Sequence, residues 1–168
     1  MVDSEMFKDL AKGTRNWRDR ILQQTFEAGC TDLSFRPSTG MASLGWLIAH
    51  QAVVFDFSLS VLIQNAEPKN SDLFRKYIPG TSGDWDGVTS LETMHEYYDS
   101  SEEALFEWLE GAESSDLSRV IDGDKVPKFF VGMTIHEAIC HLFVHLNYHT
   151  GHLESLRRDW LTQKSTKI

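Results

Sequence analysis

The stretch Thr134-Ile135-His136-Glu137-Ala138-Ile139-Cys140-His141-Leu142-Phe143-Val144-His145-Leu146-Asn147-Tyr148-His149-Thr150-Gly151-His152-Leu153 opens the last helix and carries the densest chemistry of the chain. Thr134 and Glu137 form a T-x-x-E capping box, in which the hydroxyl and the carboxylate satisfy free backbone N–H groups. Beyond it, His141, His145, His149 and His152 recur at steps of four, four and three. At about 100° per residue they fall within an arc of about 80° on one helix face, with His136 opposite. The pattern predicts a helix from Thr134 to about Trp160.

Three more long helices are predicted upstream. Phe7, Leu10, Thr14, Trp17, Ile21 and Thr25 step by three and four residues, the seam of an amphipathic helix from Ser4 to Phe26. Gly29, Thr31-Asp32 and the run Pro37 to Gly40 end it in a loop. A second helix, Ala42 to Gln64, is apolar on most sides and is expected to be the most buried. Its core, Leu44 to Ile63, is long enough to cross a membrane, but His50, Gln51 and Asp56 lie near its middle, where hydrocarbon would penalise them. Pro68, Asn70, Pro79, Gly80, Gly83 and Gly87 then mark a long crossover with one helical turn near Asp72 to Tyr77. The third helix opens on a second T-x-x-E box, Thr89 to Glu92, with Leu91, Met94, Tyr98, Leu105 and Leu109 as its seam and Trp108 beside it. Nine acidic residues and no Lys or Arg lie from Glu92 to Asp116, which reads as a solvated face. A hairpin-like loop, Gly123 to Gly132, leads to the last helix, and the polar tail Lys164 to Ile168 is expected to fray. Without an alternating strand pattern, these elements predict an all-α fold: a four-helix bundle with a long crossover between helices 2 and 3, and one domain over residues 1–168.

Composition narrows the function. The 168 residues carry 16 Lys and Arg against 25 Asp and Glu, a formal charge of −9. That balance argues against nucleic-acid backbones and anionic membrane surfaces. The acidic, polar start Met1-Val2-Asp3-Ser4-Glu5 is no signal peptide, and Cys30 and Cys140 form no C-x-x-C pair, so a reducing, cytoplasmic setting is expected.

The histidines point to a metal. Imidazoles four apart on a helix can share one ion, whereas His141 and His149 are about 12 Å apart along the axis, so the candidate pairs are His141 with His145 or His145 with His149. His50, inside the apolar run Leu47-Ile48-Ala49-His50-Gln51-Ala52, needs a polar partner or an ion to offset its desolvation and is the natural third ligand. Bundle cores commonly assemble metal sites from facing helices. Competing signatures fail. His136-Glu137 is not followed by a histidine at H-E-x-x-H spacing, and no G-x-S-x-G elbow or glycine-rich phosphate loop is present. Glu92-x-x-His95 lacks the matching Glu-x-x-His on the last helix that a di-iron bundle requires. Cys140 points away from His141 and reads as a packed thiol. His95 and His136 read as incidental.

The segment from His141 to Leu153 resembles the closing helix of the DinB/YfiT-like superfamily, whose signature is close to H-x-x-x-H-x-G-Q-[LI]. Arg36-Pro37 followed by Ser43-Leu44-Gly45-Trp46-Leu47-Ile48-Ala49-His50 resembles that family's other block, an arginine-proline loop leading into a helix with the first ligand. The blocks lie roughly 100 residues apart, as in the family. The resemblance implies one divalent metal, zinc, nickel or iron, held by His50, His145 and His149. It makes His141 a neighbour one turn earlier. His152 departs from the glutamine that usually follows the glycine. His141, Tyr148 and His152 are the residues expected to support the site from outside the ligand set.

Three histidines with an open position suit a catalytic metal. By resemblance, the expected activity is that of a metal-dependent transferase of detoxification or stress response, using a low-molecular-weight thiol of the bacillithiol, mycothiol or glutathione type on a small-molecule electrophile. The alternative is a non-catalytic metal-binding stress protein. The resemblance also implies a homodimer.

Overall fold

The computed structural model describes residues 4–37 and 40–166. Every regular element among them is helical, apart from one isolated bridge between Val120 and Thr134. In chain order the elements are α1 (Ser4–Glu27), α2 (Leu44–Asp56), a π-helix (Phe57–Ile63), α3 (Ser71–Tyr77), α4 (Leu91–Gly111), α5 (Ser114–Ser118) and α6 (Ile135–Thr166).

All of α2 is buried. Each fully buried Leu, Ile, Val or Phe side chain contributes about 1.5–3 kcal/mol, so this helix is the centre of the core. It packs on α4, α6 and α3, while α1 lies against α6 and α4. The stretch long and apolar enough to cross a membrane, Leu44–Ile63, is 94% buried inside the protein over its most apolar window, as a core helix should be.

The start of α2 is fixed by three neighbours in sequence. Ser43 caps it, its hydroxyl accepting from the backbone N–H of Trp46 and also from that of Trp85 in the crossover. Gly45 has no side chain because Trp85 lies where one would go: a Cβ there would sit 2.8 Å from the indole. Trp46 then projects one turn ahead of His50 on the same face. The crossover is therefore fastened onto the helix that bears His50.

The other end of α2 widens into π geometry. Asp56, at the junction, is 2% exposed, and its carboxylate accepts from the Ser60 hydroxyl, the backbone N–H groups of Lys69 and Asn70, and the Tyr97 hydroxyl of α4. Four donors offset the desolvation of one buried carboxylate and tie the crossover and α4 to the same point.

Several expectations shift by one position or one face. The buried stripe of α1 is Phe7, Ala11, Thr14, Arg18, Ile21, Leu22 and Thr25, whereas Leu10 and Trp17 are more than one-third exposed. The predicted seam therefore ran along the edge of the real face, because Arg18 is a polar residue in a core position. Its guanidinium donates from Nε to Gln51 Oε1 at 2.8 Å and lies 3.9 Å from the Tyr98 ring centroid. The N-cap of α4 is Ser90, which accepts from the Thr93 N–H, while the Thr89 hydroxyl donates instead to Asp86. The acidic helix is not wholly solvated: Glu102 is buried against Arg15, and Lys8 of α1 pairs with Glu110. Finally, α6 continues through Lys164, whose Nζ donates to the Ala28 carbonyl, so that part of the tail is helical. Met1, Val2, Asp3, Lys167 and Ile168 lie outside the described residues, as do Ser38 and Thr39 of the predicted loop Pro37 to Gly40.

Candidate metal centre

The box at the head of α6 forms as expected. Thr134 N–H and hydroxyl both donate to Glu137, and the Glu137 N–H donates to the Thr134 hydroxyl. It fixes the helical register that carries His145 and His149 to α2.

There His145 and His149 meet His50. His145 Nε2 lies 3.1 Å from His50 Nε2 and 3.1 Å from His149 Nε2, and a ligand nitrogen from each of the three falls within 4.8 Å of the others. The ring planes cross at 67–77°. His50 Nδ1 is 2.6 Å from the Tyr77 carbonyl oxygen. A carbonyl can only accept, so Nδ1 carries the proton and Nε2 presents its lone pair to the cluster. Tyr77 ends α3, so the short helix of the crossover sets the tautomer.

Burial holds all three imidazoles neutral. It lowers His50 to about 4, against the raising effect of the Tyr77 hydrogen bond, and lowers His149 to about 2, with His50 and His145 as lesser causes. His145 is lowered as well, by burial first and then by His141 and His152.

Neutral imidazoles leave the cluster short of protons. His50 Nε2 accepts only, and His145 Nε2 is either a donor or an acceptor, so the two 3.1 Å contacts cannot both be well-aligned hydrogen bonds. His149 Nδ1 is also buried with no hydrogen-bond partner. One cation would satisfy all three inward lone pairs. With metal–nitrogen bonds of about 2.0–2.1 Å, ligands at tetrahedral or right angles stand about 2.9–3.4 Å apart, and the two measured contacts lie inside that range. The residues fit a divalent ion.

The surroundings complete the picture. Trp46 stacks on His50 with centroids 4.3 Å apart and planes 13° from parallel, and its indole N–H donates to the Thr81 hydroxyl. Tyr148 and His152 are in ring contact with His149, at 5.2 and 5.4 Å, and with each other at 4.3 Å. Tyr148 is 59% exposed, at the rim of the site. His141 is one turn back, 6.3 Å from His145 by ring centroids, between Phe129 and Phe130. His95 and His136 are not members of the cluster; His136 contacts Phe7 and lies 4.0 Å from the Cys140 sulfur. Arg36, in the other block, donates to the Ser82 carbonyl and pairs with Asp84, which holds the loop before α2 against the crossover.

Beside His145 opens a pocket of about 380 Å³, walled by α2, the π-helix, the crossover, the loop after α5 and α6. Sequence reasoning missed Trp46 as a stacking partner, the Tyr77 carbonyl and the phenylalanines of that loop. Trp46 could have been found, since it lies four residues before His50. A backbone carbonyl leaves no signal in the sequence.

The fold is similar to the crystal structure of a conserved protein from Enterococcus faecalis, with a TM-score of 0.68 and 17% identity over 96% of this chain and 99% of that one. No curated protein sequence matches the chain. A sequence model of the DinB superfamily matches residues 15–153, which include both histidine blocks. With the model spanning most of its length, the chain belongs to the DinB superfamily.

Proposed function

We propose that His50, His145 and His149 are the ligands of one divalent metal, and that the protein is a metal-dependent thiol transferase acting on a small electrophile. The observation that carries this reading is the convergence of three neutral, under-satisfied Nε2 atoms beside an apolar pocket. An imidazole donor set suits zinc, nickel or iron. The ion, when bound, lowers the pKa of a coordinated thiol or water and polarises an electrophile.

The chain's own residues supply the rest. Tyr77 and Trp46 hold the His50 ring in one tautomer and one plane. His145 is shared between the histidine cluster and the pocket wall, so a molecule in the pocket has its reactive end beside the centre. His141 and Tyr148 offer proton-carrying groups at the rim. In the overall reaction a thiol RS–H and an electrophile R′–X give RS–R′ and H–X. The S–C bond forms as the C–X bond breaks, X leaves with its electron pair, and the thiol proton leaves with it. We also read the four long helices as a four-helix bundle in which the crossover between the second and third covers the centre. Free Cys30 and Cys140 agree with a reducing, cytoplasmic setting.

The test incubates metal-loaded protein with bacillithiol, mycothiol and glutathione in turn and a generic alkyl halide. Thioether formation with one thiol, abolished in His149→Ala, supports the transferase. No product with any of them, together with a large metal-dependent rise in Tm, leaves a non-catalytic metal-binding protein and overturns the transferase.

A further inference from the structure

The pocket beside His145 has a composition that selects its occupant. Its walls are Val53 and Val54 of α2, Phe57 of the π-helix, Ile78 of the crossover, and Phe129 and Phe130 of the loop after α5. The aromatic members form a box: Phe130 lies 5.6 Å from Phe57 and 5.0 Å from Phe129, and His141 lies 5.1 Å from Phe129 and 5.5 Å from Phe130. Among the described residues no Lys, Arg, Asp or Glu lines it, and its polar groups, Ser58, His141 and His145, are few. In the metal-free protein a charged ligand would leave water for a wall that offers no countercharge, a cost that disfavours it. The volume of about 380 Å³ lies near the lower end of the range for small-molecule sites, about 300–1,000 Å³.

We propose that this pocket binds an uncharged aromatic molecule of one or two rings, with its polar or reactive end against His141 and His145. As the electrophile's subsite, the assignment rests on the transferase reading above; as a binding site it stands without it. A glutathione-type thiol, with its carboxylates, does not fit these walls and must reach the centre from the other side. On the other side of the cluster Tyr148 is exposed, whereas Trp46 is buried. Offset and edge-to-face contacts between rings provide the attraction, and the aromatic box gives the pocket a preference for flat ligands over branched ones.

The test titrates full-length protein, first chelator-treated and then zinc-loaded, with 2-naphthol and with 2-naphthoate at pH 7.5, using calorimetry. Saturable one-site binding of naphthol by both forms is expected, with naphthoate at least about tenfold weaker on the chelator-treated form. Two variants locate the site. Phe129→Ala removes a wall side chain that is 61% exposed and so contributes little to folding. Ile78→Trp fills the pocket from its half-buried rim, with folding checked by circular dichroism. Both are expected to weaken naphthol at least about fivefold. Equal affinity of the chelator-treated protein for naphthol and naphthoate, or naphthol binding unchanged in both variants, overturns the assignment. Naphthol binding that follows the expected pattern while no thiol gives product would leave the pocket standing and remove only the transferase.

Discussion

Acid should destabilise the metal-free protein, and His50 should carry a measurable share of the loss. Its imidazole is fully buried, donates from Nδ1 to the Tyr77 carbonyl, and is lowered from 6.5 to about 4, chiefly by burial. The unfolded imidazole takes up a proton near pH 6.5, whereas the folded one stays neutral until about pH 4. Acid therefore favours the unfolded chain. The contribution of His50 is fully present above pH 6.5 and is lost as the pH falls through that value towards 4. Between pH 7 and pH 5 this amounts to about 2 kcal/mol. In a chain of 168 residues that is a fall in Tm of about 4–8 °C. His145 and His149 are lowered in the same sense and add to the fall. The assay is thermal unfolding of chelator-treated protein at pH 7 and pH 5, for the wild type and for His50→Gln, whose amide keeps a donor for the Tyr77 carbonyl. Surface carboxylates titrate alike in both proteins, so the comparison isolates His50. The wild type should lose about 4–8 °C more than the variant. A wild-type Tm that does not change with pH, or an equal fall in the variant, would refute a buried neutral His50.

Three further outcomes follow from the packing and the cluster. Gly45→Ala puts a Cβ 2.8 Å from the Trp85 indole, which two hydrogen bonds hold in place, so it should cost about 1–3 kcal/mol by overpacking, read as a lower Tm. An unchanged Tm would mean that Trp85 yields freely. Gln51→Leu removes the acceptor of the buried Arg18 Nε and the link to the Thr150 hydroxyl; chemical denaturation should show a loss of about 2–3 kcal/mol. Zinc at 100 times its Kd should stabilise the wild type by about 2.7 kcal/mol, reversed by a chelator, and should leave the Tm of His50→Ala unmoved.

What the sequence made legible depended on how far each feature is local. The box at Thr134 is a contact between residues three apart, and it forms as read. The box at Thr89 has the same pattern but fails, because Asp86 captures the Thr89 hydroxyl and leaves the cap to Ser90. A competing partner three residues upstream is invisible to a motif. The α1 seam slipped for a related reason: Arg18 reads as surface, yet Gln51 and Tyr98, far along the chain, give its charge partners in the core. Spacing narrowed the histidine pairs to two without choosing between them. The structure brings His145 and His149 together with His50 and leaves His141 at the pocket wall. The role of the Tyr77 carbonyl had no sequence signal, since its hydrogen bond to His50 is a tertiary contact.

Elemental analysis of the purified protein beside His50→Ala addresses the metal centre most directly. With His50, His145 and His149 as ligands, the wild type should carry one divalent ion per chain and His50→Ala close to none, while both remain folded by circular dichroism. One ion per chain in both proteins would contradict the assignment.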